Sequence, residues 1–200
     1  MNRALDVLVA SAALVATAPL LAACALAIKL DSRGPVLYRQ RRVGRDGRPF
    51  ELFKLRTMVV GAEHRGAGLY IEDRDPRITR VGRILRRFSL DELPNLLNVL
   101  RGDLAVVGPR PTVQEQVDRY APHQRRRLEV RPGITGWAQV NGRTSLSWPE
   151  RIELDVWYVD HRSLALDLRI LARTARLLVT GHGLYSTDLK QGWGDSDGPL

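Results

Sequence analysis

The chain has 200 residues with 44% hydrophobic content, enough for one sizeable core, and it shows no repeat period. Its 31 basic residues against 22 acidic ones leave a net charge of +9, which favours an anionic partner (nucleic acid, anionic lipid or a phosphorylated substrate) over a neutral one. The single cysteine, Cys24, excludes a disulfide framework and suits a reducing compartment.

In chain order, residues 7–28 carry no charge, and Ser11 and Thr17 are their only hydroxyl side chains. As one straight helix this stretch would measure about 33 Å, close to the roughly 30 Å hydrocarbon core of a bilayer. Residues 29–56 then hold nine basic residues against three acidic ones, which places that flank on the cytoplasmic side. Three readings of the apolar stretch compete. A secretory or lipoprotein signal is suggested by Arg3 and by Leu21-Ala22-Ala23-Cys24, but Asp6 spoils the basic leader and the chain stays apolar after Cys24. The others are a spanning helix and a helix that breaks at Pro19 and returns to the same side, with Thr17 able to satisfy backbone groups at the bend. Physics alone leaves these two open.

Residues 35–55 read as a hairpin, with strands at 36–43 and 50–55 around the turn Gly44-Arg45-Asp46-Gly47. Glycine-rich residues 61–68 read as a loop. Thr79 caps a short helix through residue 88, and Ser89 with Glu92 has the spacing of a capping box for a second helix whose Leu93, Leu96, Leu97 and Leu100 share a face. Pro94 suits that helix start. Thr112 with Glu115 repeats the spacing, predicting a helix to about Tyr120 with Pro122 beyond it. Residues 131–143 suit an extended segment with tight turns, Ser147 and Pro149 open a helix with Ile152, Val156 and Val159 on one side, and residues 164–179 form a Leu- and Arg-rich helix suited to a membrane surface. After Gly181 the chain is polar and glycine-rich, and a poorly ordered tail is expected.

Asp91 and Glu92 are adjacent acids at a predicted helix start, where amide groups favour negative charge and would keep an aspartate ionised. A purely capping role competes with chemistry there, and neighbours in sequence cannot flank a glycosidic bond as a glycosidase requires. Arg110, between two prolines in Gly108-Pro109-Arg110-Pro111, can present its fork to a phosphate or pair with an acid such as Asp103. Lys54 and Arg56 fall on one strand face, where a solvated surface is the plain alternative.

Phe53-Lys54-Leu55-Arg56-Thr57-Met58, Ser89-Leu90-Asp91-Glu92-Leu93-Pro94-Asn95, Gly102-Asp103, Val107-Gly108-Pro109-Arg110-Pro111, Arg131-Pro132-Gly133-Ile134-Thr135-Gly136-Trp137 and Glu153-Leu154-Asp155 together resemble the bacterial sugar transferases, the monotopic phosphoglycosyl transferases, over roughly residues 1–180. The resemblance implies an α/β monotopic membrane protein: a re-entrant helix broken at Pro19 (residues 1–30), a cytoplasmic catalytic domain with a short β-hairpin and interfacial amphipathic helices (31–180), and a tail (181–200), at the bacterial inner membrane. It implies a Mg²⁺-dependent transfer of a phosphosugar from a UDP-sugar to polyprenol (undecaprenyl) phosphate, with Asp91 as nucleophile and UMP released. Glu92 would hold the metal with Asp91 or handle a proton, and Lys54, Arg86 and Arg110 would offset the diphosphate charge. Asp155 is a weaker carry-over to the substrate-binding set. Membrane lipid is an expected partner, nucleic acid is not, and a homodimer is left open. Where the family bends at a Ser-Pro pair this chain has Ala18-Pro19, so the hydroxyl is missing. The rival from another class is a membrane-tethered basic nucleic-acid-binding protein, resting on charge alone.

Overall fold

A computed structural model describes residues 2–62, 75–142 and 146–180. Residues 63–68 of the expected loop, Arg143, and the tail from residue 181 lie outside that set. The fold mixes helices with two small sheets.

Helix α1 (Arg3–Asp31) is opened by Asn2, whose side chain accepts from Leu5 N at 3.0 Å, and the helix runs without interruption through Pro19. The expected break is therefore absent from the hydrogen-bonded helix. Proline removes a single amide donor, the one that would reach Val15 O, and one lost bond leaves the helix continuous; Thr17 Oγ1 separately back-bonds to Ala13 O at 2.7 Å. At 1.5 Å per residue α1 is about 43 Å long, and both of its ends dock on the same body. At the start, Arg3 donates to Val99 O and to Leu100 O (2.8 Å) at the carbonyl end of helix α3 (Asn95–Arg101), Asp6 accepts from Val106 N at 3.0 Å, and Ala10 is fully buried. At the far end, Cys24 and Ile28 pack on Leu55 and Leu85, and Asp31 accepts from Val81 N at 3.0 Å. Ala13, Leu14 and Leu21 continue the packed face between them, while Val15 (76% exposed), Leu20 and Leu26 on the other face are left outside the protein core. Signal cleavage ahead of Cys24 would strip Asp6 and Ala10 from the fold, which argues against the lipoprotein reading.

Strands β1 (Leu37–Val43) and β2 (Pro49–Leu55) form the expected antiparallel hairpin, with Tyr38 opposite Lys54 and Val43 opposite Pro49. Asp46 and Gly47 take positive φ in its turn, a conformation that Asp and Gly tolerate best. Helix α2 (Arg80–Arg87) is capped by Thr79 as expected. A Cβ at Gly82 would come within 2.0 Å of Thr57 O, so only glycine lets α2 lie this close to the end of the hairpin.

The Ser89 capping box does not form. Ser89 sits at φ 53°, residues Leu90–Glu92 make a single 3-10 turn, and α3 begins only after Pro94. The Glu92 carboxylate is taken by cations instead, as described below. Asn98, fully buried in α3, ties the helix to the hairpin: its Oδ1 accepts from Phe53 N (3.0 Å) and its amide donates to Glu51 O (2.7 Å) and Asp103 Oδ2 (3.1 Å).

Strand β3 (Ala105–Val107) pairs in parallel with β4 (Gly133–Thr135), a sheet the sequence reading did not anticipate. The segment joining them carries Arg110. A Cβ at Gly133 would stand 2.1 Å from Gly108 N, so the chain crosses itself there at backbone contact distance. The Thr112 capping box is also absent. Thr112 bridges to Val43 and its hydroxyl bonds Gln116 Oε1, leaving only a short helix α4 (Gln114–Val117). A one-turn helix α5 (Trp137–Val140) follows β4. Helix α6 (Trp148–His161) has the full capping box of Ser147 and Glu150 and buries Ile152 and Val156, with Val159 half-buried. Helix α7 (Leu164–Thr180) buries Leu166 and Ile170 in the main core with Leu52, Leu96, Val99 and Leu104. Each such side chain contributes roughly 1.5–3 kcal/mol.

Candidate active site

Four chain segments meet at one cavity of about 970 Å³, at the upper end of the range for small-molecule sites. Strand β2 brings Lys54, α2 brings Arg86, the 3-10 turn brings Asp91 and Glu92, and the loop after β3 brings Arg110. The left-handed backbone at Ser89, costing of order 1 kcal/mol or more, turns the chain out of α2 so that the two acids enter the cavity. Glu92 Oε1 accepts from Lys54 Nζ at 2.9 Å and from Arg110 Nη2 at 2.7 Å. Arg110 thus pairs with Glu92 and not with Asp103. Arg86 Nε donates to Thr57 Oγ1 at 2.8 Å, which holds its guanidinium beside the acids.

Arg110 is fixed through its backbone as well. Arg127 Nη2 donates to Arg110 O at 2.9 Å and to Asp155 Oδ2 at 2.6 Å, and Gly133 N donates to Pro109 O at 2.8 Å. Asp155, only 2% exposed, lines the cavity but is committed to Arg127. Only its Oδ2 is held by Arg127, and a buried carboxylate suits a hydrogen-bond donor of the substrate better than a phosphate oxygen. Its neighbour Glu153 is more than half exposed and pairs with His123, the solvated role that the sequence left open for both. Arg56 also borders the cavity but does not reach the acids: it is buried and donates to Ser32 O and Arg33 O at the end of α1.

The two acids are pushed in opposite directions. Burial raises the Asp91 carboxyl and the Glu92 charge adds to this, against the pull of Lys54, Arg86 and Arg110. The expectation that a helix start would favour its ionised form therefore fails, because the 3-10 turn presents no such start and the group is desolvated. Burial also opposes ionisation of Glu92, but the charges and hydrogen bonds of Arg110 and Lys54 outweigh it and hold this carboxyl well below its usual range. Asp91 accepts no hydrogen bond from the described residues.

The sequence reading missed three arginines. Arg42 shares the cavity, with burial and the Arg110 charge lowering its guanidinium to about 10, and Arg151 is lowered by the same two causes. The spacing of Tyr38, Gln40 and Arg42, two apart on the sheet face they share with Lys54, was a usable signal for the first. Nothing in the basic run 125–127 marks Arg127 as the buried one. Among the described residues no group of three or more His, Cys, Asp and Glu comes together. Asp91 and Glu92 are hard oxygen donors, and a Mg²⁺ ion that keeps waters and bridges to phosphates needs no more than one or two carboxylates, so the donor set fits that ion.

The family model described as bacterial sugar transferase matches residues 1–181. The chain is 44% identical over 188 residues to the sugar transferase EpsL of Bacillus subtilis, covering 94% of this chain and 92% of that protein. It is 46% identical over 193 residues to a UDP-glucose:undecaprenyl-phosphate glucose-1-phosphate transferase of Caulobacter vibrioides, covering 92% and 72%. It is 42% identical over 189 residues to a UDP-N-acetylgalactosamine-undecaprenyl-phosphate N-acetylgalactosaminephosphotransferase of Aeromonas hydrophila, covering 92% of this chain and 44% of that one.

Proposed function

Because the chain belongs to the bacterial sugar transferase family, we propose that it transfers a sugar 1-phosphate from a UDP-sugar to undecaprenyl or a similar polyprenol phosphate, as the first membrane step of glycan assembly. The observation that carries the reading is Asp91: an acid without a hydrogen-bond donor among the described residues, facing a cavity whose cations converge on its neighbour. A carboxylate so placed keeps an oxygen lone pair for phosphorus. In the first half-reaction an Asp91 oxygen bonds to the β-phosphorus as the bond from that phosphorus to the bridging oxygen breaks, and UMP leaves with the electron pair. In the second, a phosphate oxygen of the polyprenol attacks the same phosphorus and restores the carboxylate. Lys54, Arg86, Arg110 and Arg42 offset the diphosphate charge in both. Glu92, held far below the usual carboxyl range, is a poor proton acceptor, which favours an electrostatic or metal-holding role over acid–base work. Mg²⁺, when bound by Asp91 and Glu92, supplies further charge neutralisation.

The lipid substrate asks for a site at the bilayer surface. Helix α1 is the one described helix long and apolar enough to cross a membrane, yet one face lies on the body from Asp6 to Ile28 while the other is apolar and exposed, as suits a helix seated in one leaflet on the cytoplasmic side. This supports the monotopic reading, with α1 unbroken through Pro19.

The experiment is to incubate the protein with Mg²⁺, polyprenol phosphate and a panel of UDP-sugars and to read UMP release and the mass of the intact protein. Asp91→Asn should abolish both release and a phosphosugar adduct. Undiminished turnover in that variant would remove Asp91 from the chemistry.

A further inference from the structure

Beyond the charged end of the cavity, α6 places Arg151 and Asp155 one helical turn apart on the same wall. Opposite charges at this spacing ordinarily pair. Here each is tethered elsewhere. Arg151 Nε donates to Leu146 O at 2.9 Å and its guanidinium lies 5.0 Å over the Trp148 ring, while Asp155 Oδ2 is held by Arg127. The remaining atoms, Arg151 Nη2 and Asp155 Oδ1, are buried and without a hydrogen-bond partner among the described residues. Buried polar atoms are rarely left so, and such an exception inside a cavity calls for a ligand group.

Resting on the function proposed above, we infer that Arg151 Nη2 and Asp155 Oδ1 form a hydroxyl-recognition subsite for the nucleotide-sugar donor. A hydroxyl can donate to the carboxylate and accept from the guanidinium at once, whereas a phosphate oxygen has no proton to give and meets a like charge. Asp155 is linked through Arg127 to the backbone of Arg110, so the subsite and the Glu92–Arg110 pair belong to one rigid wall. The donor bears hydroxyls on its transferred sugar and on its ribose, and the subsite takes one of them.

The test is a substrate cycle. For wild type and Arg151→Met, kcat/KM is measured for the preferred UDP-sugar and for analogues lacking single ring hydroxyls, and inhibition constants are measured for UMP, 2′-deoxy-UMP and 3′-deoxy-UMP. Wild type should disfavour one analogue by roughly ten- to hundredfold, as for a hydrogen bond to a charged group, and Arg151→Met should bring that ratio close to one. Loss of the ratio in the ring series assigns the subsite to the sugar; loss in the deoxy-UMP series assigns it to the ribose. Ratios taken within one preparation do not depend on how much of the variant is folded. If the variant keeps every ratio, whether or not it weakens all ligands alike, the inference is overturned. If wild type releases UMP from no UDP-sugar, the function proposed above fails first, an outcome distinct from unchanged ratios.

Discussion

Glu92→Gln perturbs the site through a single oxygen. Glu92 Oε1 holds Lys54 and Arg110, and the Lys54 and Glu92 side chains are only 18% and 20% exposed. Substitution leaves two cationic donors on a neutral acceptor and removes the ionic attraction of each pair, so each bond falls within or below the range of about 1.5–3 kcal/mol for hydrogen bonds to charged groups. The Lys54 bond should lose about 1 kcal/mol. The Arg110 bond should lose less, because its side chain is 48% exposed and screened. The sum, about 1–2 kcal/mol, corresponds to roughly 2–8 °C of melting temperature for a domain of this size. Glu92 titrates below its ordinary range, so its contribution is complete above about pH 4.3, the unfolded value, and is lost as pH falls through the folded value. Wild type and variant should therefore converge in stability under acid. In catalysis the sign reverses. The Glu92 charge helps to raise Asp91, so its removal should move the acid limb of the pH–rate profile for UMP release to lower pH, whatever happens to the maximal rate. Thermal melts across pH and the rate profile together check this. An unmoved melting temperature with an acid limb shifted upward would refute the electrostatic account of the pair.

Arg110→Ala should raise KM for the UDP-sugar tenfold or more with a smaller effect on melting, since the side chain is half exposed; an unchanged KM would make Arg110 purely structural. Asp155→Asn should cost about 3–5 kcal/mol by leaving the buried Arg127 guanidinium without its counter-charge. Part of that loss should return when Arg127→Met and Asp155→Leu are combined, and equal melting temperatures for wild type and Asp155→Asn would contradict the buried pair. For topology, cysteines placed at Asn2 and at Ser32 in a Cys24→Ala background should both react with an impermeant reagent only from the cytoplasmic side. Labelling of the Asn2 position from outside would establish a spanning helix.

Local pattern alone determined much of this protein. Charge-free residues 7–28 marked a membrane-length apolar helix though not its continuity through Pro19, two runs of strand formers around Gly44–Gly47 fixed the hairpin, and Ser147 with Pro149 fixed the start of α6, because each signal is read within a few residues. The motifs around Lys54, Asp91 and Arg110 likewise pointed to one site. The same local logic failed at Ser89 and Thr112, where cap spacing was present but the partners lay elsewhere: Glu92 is held by Lys54 and Arg110, and Thr112 by Val43 and Gln116. Charge sign could not tell buried Arg127 from exposed Arg126, nor Arg56, spent on the carbonyls at the end of α1, from Lys54, paired with Glu92. The parallel pair β3–β4, the docking of both ends of α1 and the opposed shifts of Asp91 and Glu92 were decided only by tertiary structure. Each depends on which groups, 18 to 100 residues apart, share a low-dielectric space, and sequence order carries no measure of that distance.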